Sequence, residues 1–182
     1  MVDGRTTPRG HLVFTGRRWP SAPGGPYGAA MTPHATLAAA AVEQRLGEAT
    51  DGLCRDHPGR APAVRGVLGP LRDRLHHVHA GCQAAGAVDW AAYSADLDRG
   101  LDELSVEIGR AAQQPDGGPT VDAVLHLSAT RFELRAWQLK LAALAAHGAD
   151  DRQARQRAET LAADLAALQT SPRLGQARLT PS

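Results

Sequence analysis

Apolar residues that recur at alternating spacings of four and three are the feature that most constrains this chain. Five segments carry such a stripe, and this spacing is typical of one face of an amphipathic α-helix. Aromatic residues make up only 4% of the chain, so alanine and leucine supply most of the apolar volume, which also favours helices. The first three stripes run over residues 35–53, 64–85 and 90–111.

Residue types at two positions predict helix boundaries directly. Asp89 precedes the third stripe as an N-cap, and Gly148 follows the fourth as a C-terminal cap. Pro70 lies inside the second stripe, where a proline costs about 3 kcal/mol. Either this helix is kinked at Pro70 or its regular part begins at Gly69.

Short breaks separate the five patterns, and short connections favour antiparallel neighbours. We therefore expect an all-α domain over residues 31–169, an up-down antiparallel helical bundle of four long helices with a fifth alongside. Residues 1–30 and 170–182 contain prolines and no apolar period, so we expect flexible tails. Because Met31 stands just before the first stripe, residues 1–30 can also be read as an over-long gene start.

The net charge of +1 is unevenly distributed along the chain. Residues 1–30 carry four arginines and one aspartate, and residues 170–182 carry two arginines and no acid, so the helical body is acidic. The second helix is basic and the third acidic, and we expect them to pair as antiparallel neighbours. Long helices in an acidic body do not fit a major-groove reader, so we expect no specific nucleic-acid partner.

The sequence predicts a soluble, cytoplasmic protein. It contains no apolar run of the ~18 to 20 residues that a membrane span requires, and no apolar segment near its start resembles a signal peptide. Cys54 and Cys82 should lie roughly 30 Å apart along two antiparallel helices, too far for a disulfide. We expect two reduced, buried or half-buried thiols.

The fourth helix, from about Thr120 to His147, differs from the others because it has two apolar stripes. A helix that is apolar on two faces must bury both. One interpretation places it centrally, with the fifth helix covering the second face. The other makes that face a homodimer or partner surface, since large apolar side chains exposed together mark interaction sites. The candidate residues of this second face are Leu127, Leu134, Trp137, Leu141 and Leu144.

A histidine cluster on the second helix is the most suggestive local chemistry. His76, His79 and Cys82 follow one another at intervals of three, so adjacent pairs could share a metal. Because Cys82 belongs to the core stripe, the histidines should flank it and be partly exposed. A pH-sensitive contact is a further interpretation.

No catalytic motif accompanies these features. The sequence lacks Glu-x-x-His and His-x-x-x-His metal patterns, a phosphate loop and a nucleophile elbow. We expect no cofactor, and enzymatic activity is not favoured. The leading hypothesis is a non-enzymatic interaction or scaffold protein that self-associates through the second face of helix four. The alternative is a small-molecule- or metal-binding bundle that uses a pocket near Pro70 and the His76, His79 and Cys82 series.

Overall fold

Five α-helices make up the part of the chain that the computed structural model describes, residues 33–85, 88–114, 117–172 and 174. They are α1 (Pro33–Asp56), α2 (Ala61–Ala85), α3 (Trp90–Ala112), α4 (Gly117–Ala146) and α5 (Arg152–Gln169), with a 3₁₀ turn at Pro58–Arg60. No strand occurs in these residues, which confirms the all-α prediction. The predicted arm over residues 1–30 and most of the predicted tail, residues 173 and 175–182, lie outside the described residues.

The helix ends follow local side-chain chemistry. Asp89 caps α3 as predicted, accepting a hydrogen bond from the backbone N–H of Ala92 at 2.9 Å. Asp151 caps α5 in the same way through Ala154 at 3.0 Å. Gly148 has a φ of 66°, the left-handed conformation that ends α4 and that glycine adopts without strain.

The first four helices form a closed ring in the order α1, α2, α4, α3. In this ring α1 packs against α2 and α3, and α4 packs against α2 and α3. The fifth helix lies outside the ring and packs against α4. The predicted bundle of four helices with a fifth alongside is thus confirmed.

Contacts between α2 and α4 show that these two helices run in the same direction. Arg74 contacts Glu133, and Gly81 faces Lys140 seven residues further along each helix. Since α3 lies between α2 and α4 in sequence and packs antiparallel to α4, the chain runs up, down, up and down.

The predicted pairing of the basic second helix with the acidic third helix is wrong. In the described chain, α2 and α3 stand at opposite corners of the ring and do not pack along their lengths. The carboxylates of α3 pair instead with its ring neighbours, Asp98 with Arg45 of α1 and Asp96 with Arg135 of α4. Single arginines at facing positions are sufficient for this, so the net charge of a helix does not identify its neighbours.

The two apolar stripes of α4 reflect its three packing partners. Leu125 and Leu127 are 0% and 1% exposed in the hydrophobic core, and Ala143 is buried as well. From the other side, α5 contributes Ala154, Ala158 and Leu161, which are also buried. The interpretation that places this helix centrally, under the fifth, therefore describes the observed packing.

A buried ion cluster connects α2, α4 and α5. Glu133 is 4% exposed, and its carboxylate accepts hydrogen bonds from Arg74 of α2 and Arg157 of α5, both at 2.7 Å. Lys140, seven residues further along α4, donates a hydrogen bond to Asp151 at 3.1 Å. These contacts attach α5 to α4 by charge as well as by apolar packing.

The structure also describes Pro70 and Leu174, for which we derived specific expectations from the sequence. The second helix continues through Pro70, and the side chain of this proline is exposed. The regular part of the helix therefore does not begin at Gly69. Leu174, which falls in the predicted flexible tail, is 4% exposed and packs against the core. No helix in the described chain combines the length and apolarity needed to cross a membrane.

Candidate functional site

His79 is the most buried polar side chain of the described residues, at 1% exposure. The expectation that it would be partly exposed is wrong, because the first turn of α3 closes over it at this end of the ring. By contrast, the side chain of His76, one turn earlier on α2, is 70% exposed. The two histidines thus lie in very different environments despite their spacing of three residues.

A hydrogen-bonded network surrounds the buried imidazole. His79 Nδ1 lies 3.1 Å from Glu43 Oε1 on α1, and His79 Nε2 lies 3.1 Å from the hydroxyl of Tyr93 on α3. The other oxygen of Glu43 lies 3.0 Å from His76 Nδ1. These partners fit a neutral His79 that donates from Nδ1 to the carboxylate and accepts from the tyrosine hydroxyl at Nε2.

Aromatic rings enclose the same imidazole. The ring centroids of Trp90 and Tyr93 both lie 5.3 Å from that of His79, with edge-to-face angles of 85° and 81°. Edge-to-face contact is a favoured geometry of aromatic pairs. Because Trp90 and Tyr93 are three residues apart directly after the Asp89 cap, the first turn of α3 places both rings over α2.

Burial determines the titration of this network. It lowers the pKa of His79 below its ordinary value of 6.5, and the hydrogen bond and charge of Glu43 oppose this effect only in part. Burial likewise raises the pKa of Tyr93. At neutral pH the network therefore holds an uncharged imidazole and an uncharged phenol.

The predicted ligand or metal series does not converge on a common point. His76 and His79 are both directed at Glu43, whereas Cys82 is fully buried and burial raises the pKa of its thiol to about 12. Nowhere in the described residues do three histidine, cysteine, aspartate or glutamate side chains converge as metal ligands. Cys54 and Cys82 are both free and buried, in agreement with the expectation of buried thiols.

Sequence reasoning missed the residues that complete this network. Glu43 lies 33 and 36 residues from its two histidine partners. Its own segment contains no chemical motif. Trp90 and Tyr93 were visible only as members of the third stripe. The scarcity of aromatic residues was the one available signal, since two of them stand three residues apart at a helix start.

An open cleft between α3 and α4 begins at Tyr93. It has a volume of about 220 Å³. Tyr93, Leu97 and Phe132 are 2%, 3% and 5% exposed, so they form its floor, and half-buried Leu134 forms part of one wall. The charged residues of its rim are Asp96, Arg99, Glu103, Arg131 and Arg135.

Gly100 sets how closely α3 approaches α4 in this cleft. A Cβ at this position would stand 2.5 Å from the Phe132 ring, closer than real contacts allow. The absence of a side chain at Gly100 therefore lets the ring of Phe132 pack directly against the backbone of α3. The hydroxyl of Tyr93 is hydrogen-bonded to His79, which does not line the cleft.

A second cleft lies beside Pro70, where the sequence suggested a pocket. It is open, has a volume of about 270 Å³ and lies between α1 and α2. Gly69, Leu68 and Arg72 of α2 line it, together with Thr50 and Asp51 of α1. The histidine series contributes no side chain to its lining.

The predicted interaction face of α4 is divided by the packing. Leu127 is 1% exposed in the core, so it cannot belong to an interaction surface of the folded chain. Leu134 faces the cleft between α3 and α4. Trp137, Leu141 and Leu144 remain half-buried on the side of α4 where α5 packs.

Comparison of this chain with models of protein families, with curated proteins and with solved structures found no match.

Proposed function

We propose that this protein binds a small organic ligand in the cleft between α3 and α4. The observation that carries the proposal is the floor of that cleft. There the hydroxyl of Tyr93 is hydrogen-bonded to His79, which is in turn hydrogen-bonded to Glu43. Such a floor is preorganised, and preorganisation reduces the free-energy cost of binding. The cleft also combines apolar side chains with a few polar groups, the usual composition of a ligand site.

The orientation of the buried network favours binding over catalysis. Tyr93 is 2% exposed and its hydroxyl is bonded to His79, so neither group presents a proton to the cleft. The thiol of Cys82 is fully buried, and burial raises its pKa to about 12. We place the protein in the cytoplasm, where its two free thiols would stay reduced.

A ligand screen with a blocked cleft tests this proposal. Gln138 is exposed at the edge of the cleft, so Gln138→Trp should fill the opening without disturbing the core. The matched control is Gln156→Trp, at an exposed position of α5 away from the cleft. A ligand at 100 times its Kd stabilises the folded state by about 2.7 kcal/mol, which raises Tm by several degrees in a domain of this size.

The expected result is a set of small organic compounds that raise the Tm of the wild type and of Gln156→Trp but not that of Gln138→Trp. Compounds that stabilise all three proteins equally would show binding elsewhere. If Gln138→Trp folds and no compound distinguishes it from the control, the proposal is wrong.

Self-association through α4 is a second candidate function. Trp137, Leu141 and Leu144 stay half-buried with α5 in place. A second copy of the chain could cover what α5 leaves exposed. This candidate needs three of the five predicted face residues, since Leu127 lies in the core and Leu134 in the cleft.

Light scattering after size exclusion measures the oligomeric state. We would compare the wild type with Leu141→Glu plus Leu144→Glu, and with Leu37→Glu as a control at an apolar position that is 66% exposed on α1. A dimer in the wild type and control, but not in the folded double variant, supports self-association. A folded monomer in all three excludes it at the concentrations measured.

A further inference from the structure

We propose that the ligand of the α3–α4 cleft is a small aromatic carboxylate. This inference rests on the proposed function, because it specifies the chemistry of the same site. Three observations carry it: an excess of positive charge at the rim, ion pairs that can exchange partners, and an aromatic floor of limited size.

The rim of the cleft carries more positive than negative charge. Arg99, Arg131 and Arg135 stand against Asp96 and Glu103. Asp96 alone receives two of the guanidinium groups, that of Arg99 at one oxygen and that of Arg135 at the other. Two arginines sharing one carboxylate leave a deficit of negative charge that an incoming anion can supply.

The arginines also have donors to spare. Arg135 places its Nε and one terminal nitrogen on the same oxygen of Asp96, at 3.0 and 2.7 Å. Arg131 reaches Glu103 through a single contact of 3.3 Å. A guanidinium has five N–H donors in a planar fork, so each can also bind a carboxylate from a ligand.

Exchange of these partners costs little free energy. The side chains of Arg131 and Glu103 are 39% and 54% exposed, and that of Arg135 is 52% exposed. Ion pairs at this exposure contribute little to stability because water screens them and because long side chains lose freedom in forming them. A ligand carboxylate can therefore displace Glu103 or share Arg135 without disturbing the fold.

The floor selects the apolar part of the ligand. Tyr93, Leu97, Phe132 and Leu134 line the inner part of the cleft, so the part of a ligand that enters it meets apolar side chains. The volume of about 220 Å³ is below the usual range for drug-sized ligands, which fits one ring with a short acid group. Arginine side chains also stack on aromatic faces, so the rim can hold the ring as well as the charge.

Three compounds of one shape test the charge directly. Phenylacetate, phenylacetamide and phenethylamine share a ring and a short substituent but are anionic, neutral and cationic near neutral pH. Titration of each, followed by amide NMR of the labelled protein, gives both the Kd and the residues that respond. We expect phenylacetate to shift amides of α3 and α4 around Gly100 and Phe132, with a Kd roughly tenfold below that of the amide.

Two arginine variants assign the effect to the rim. Arg131→Gln plus Arg135→Gln should weaken phenylacetate about tenfold and leave phenylacetamide unchanged, because only the anion uses the lost charges. Arg110→Gln is the control, at an exposed arginine of α3 outside the cleft lining. It should leave the Kd of all three compounds unchanged.

The outcomes separate this inference from the proposed function. If the amide or the amine shifts the cleft amides with a Kd equal to or below that of phenylacetate, the carboxylate is wrong and the cleft remains a ligand site. If the double variant binds phenylacetate as tightly as the wild type, the rim arginines do not select the ligand. If none of the three compounds shifts cleft amides at millimolar concentration, the aromatic-ligand chemistry fails, and the blocked-cleft screen then decides the proposed function.

Discussion

Two buried polar clusters in this bundle differ in the charge of their central side chain. The first surrounds His79, where α1, α2 and α3 meet, and the second surrounds Glu133, where α2, α4 and α5 meet. Both side chains are almost fully buried, at 1% and 4% exposure. Aromatic rings enclose His79 and keep it neutral, whereas two arginines hold Glu133 in its charged form.

The pKa values show the same contrast. Burial lowers the pKa of His79, and the nearby Glu43 does not overcome it. For Glu133, burial acts to raise the pKa, but the hydrogen bonds and charges of Arg157 and Arg74 outweigh burial and the pKa lies below its ordinary value of 4.5. Two directly bonded arginines thus outweigh the burial of Glu133, whereas the single carboxylate of Glu43 does not outweigh the burial of His79.

The largest expected effect on stability comes from removing the two arginines that pair with Glu133. Arg74→Met plus Arg157→Met leaves a buried carboxylate without an opposite charge, so we expect a loss of about 3–5 kcal/mol in the free energy of unfolding. Urea denaturation measures it. Adding Glu133→Gln to the same background should restore much of the loss, since the amide is neutral. A loss below about 1 kcal/mol in the double variant would contradict the description of this cluster as charged and buried.

Removal of one hydroxyl tests the neutral cluster. Tyr93→Phe keeps the ring but leaves Nε2 of His79 without its donor, and we expect a cost of about 1–3 kcal/mol. The same measurement in a His79→Leu background is the control, where the substitution should cost much less because the acceptor is gone. Equal costs in both backgrounds would show that the hydrogen bond contributes nothing.

The two clusters should also lose their contributions to stability in different pH ranges. The folded pKa of His79 lies below 6.5, so as pH falls through 6.5 the unfolded chain takes up a proton that the folded chain does not. Stability is therefore fully present above pH 6.5 and decreases below it. The folded pKa of Glu133 lies below 4.5, so its contribution is present above pH 4.5 and decreases below that value.

Urea unfolding between pH 8 and pH 3.5 resolves these two ranges. We expect His79→Gln to flatten the dependence below pH 6.5 and Glu133→Gln to flatten it below pH 4.5. His77→Gln is the matched control, because it removes an exposed imidazole from the same helix and leaves the two contacts of Glu43 intact. It should change neither range strongly. A profile for His79→Gln identical to that of the wild type would show that His79 is not the group responsible.

The smallest expected effect concerns the second contact between α4 and α5. Lys140 and Asp151 are 19% and 32% exposed, so water screens their ion pair more than it screens Glu133. We expect Lys140→Gln to cost no more than about 1 kcal/mol in thermal or urea unfolding. Asp151→Asn is the matched variant, because asparagine retains the capping role while losing the charge. A cost comparable to that of the Arg74 and Arg157 double variant would remove the distinction between the two contacts.

Much of the fold was predictable because it depends on local patterns. The stripe spacing predicted all five helices, and the residue types at Asp89 and Gly148 predicted their helix ends. The two stripes of α4 indicated a helix with more than one packing face, and the structure shows α2, α3 and α5 around it. The start of α4 was less accurate, since the helix begins at Gly117 rather than near Thr120.

The candidate site was predictable only in part. His76 and His79 were recognised as unusual, but their common partner Glu43 comes from another helix and follows no motif. The burial of His79 could not be derived from its position beside the stripe, because the rings that cover it belong to α3. The cleft likewise depends on Gly100 and Phe132, which meet only after α3 and α4 pack together.

The sequence by itself determined which segments are helical and which face of each is apolar, since backbone hydrogen bonds and side-chain spacing are local properties of a helix. Only the tertiary structure decided that the ring order is α1, α2, α4, α3 and that α5 covers α4. An apolar stripe can be buried against any other apolar stripe at similar gain in free energy, so periodicity does not select the neighbour. The neighbours in turn decide which polar side chains meet in the core, which is why the network at His79 and the cleft at Tyr93 emerge at the tertiary level.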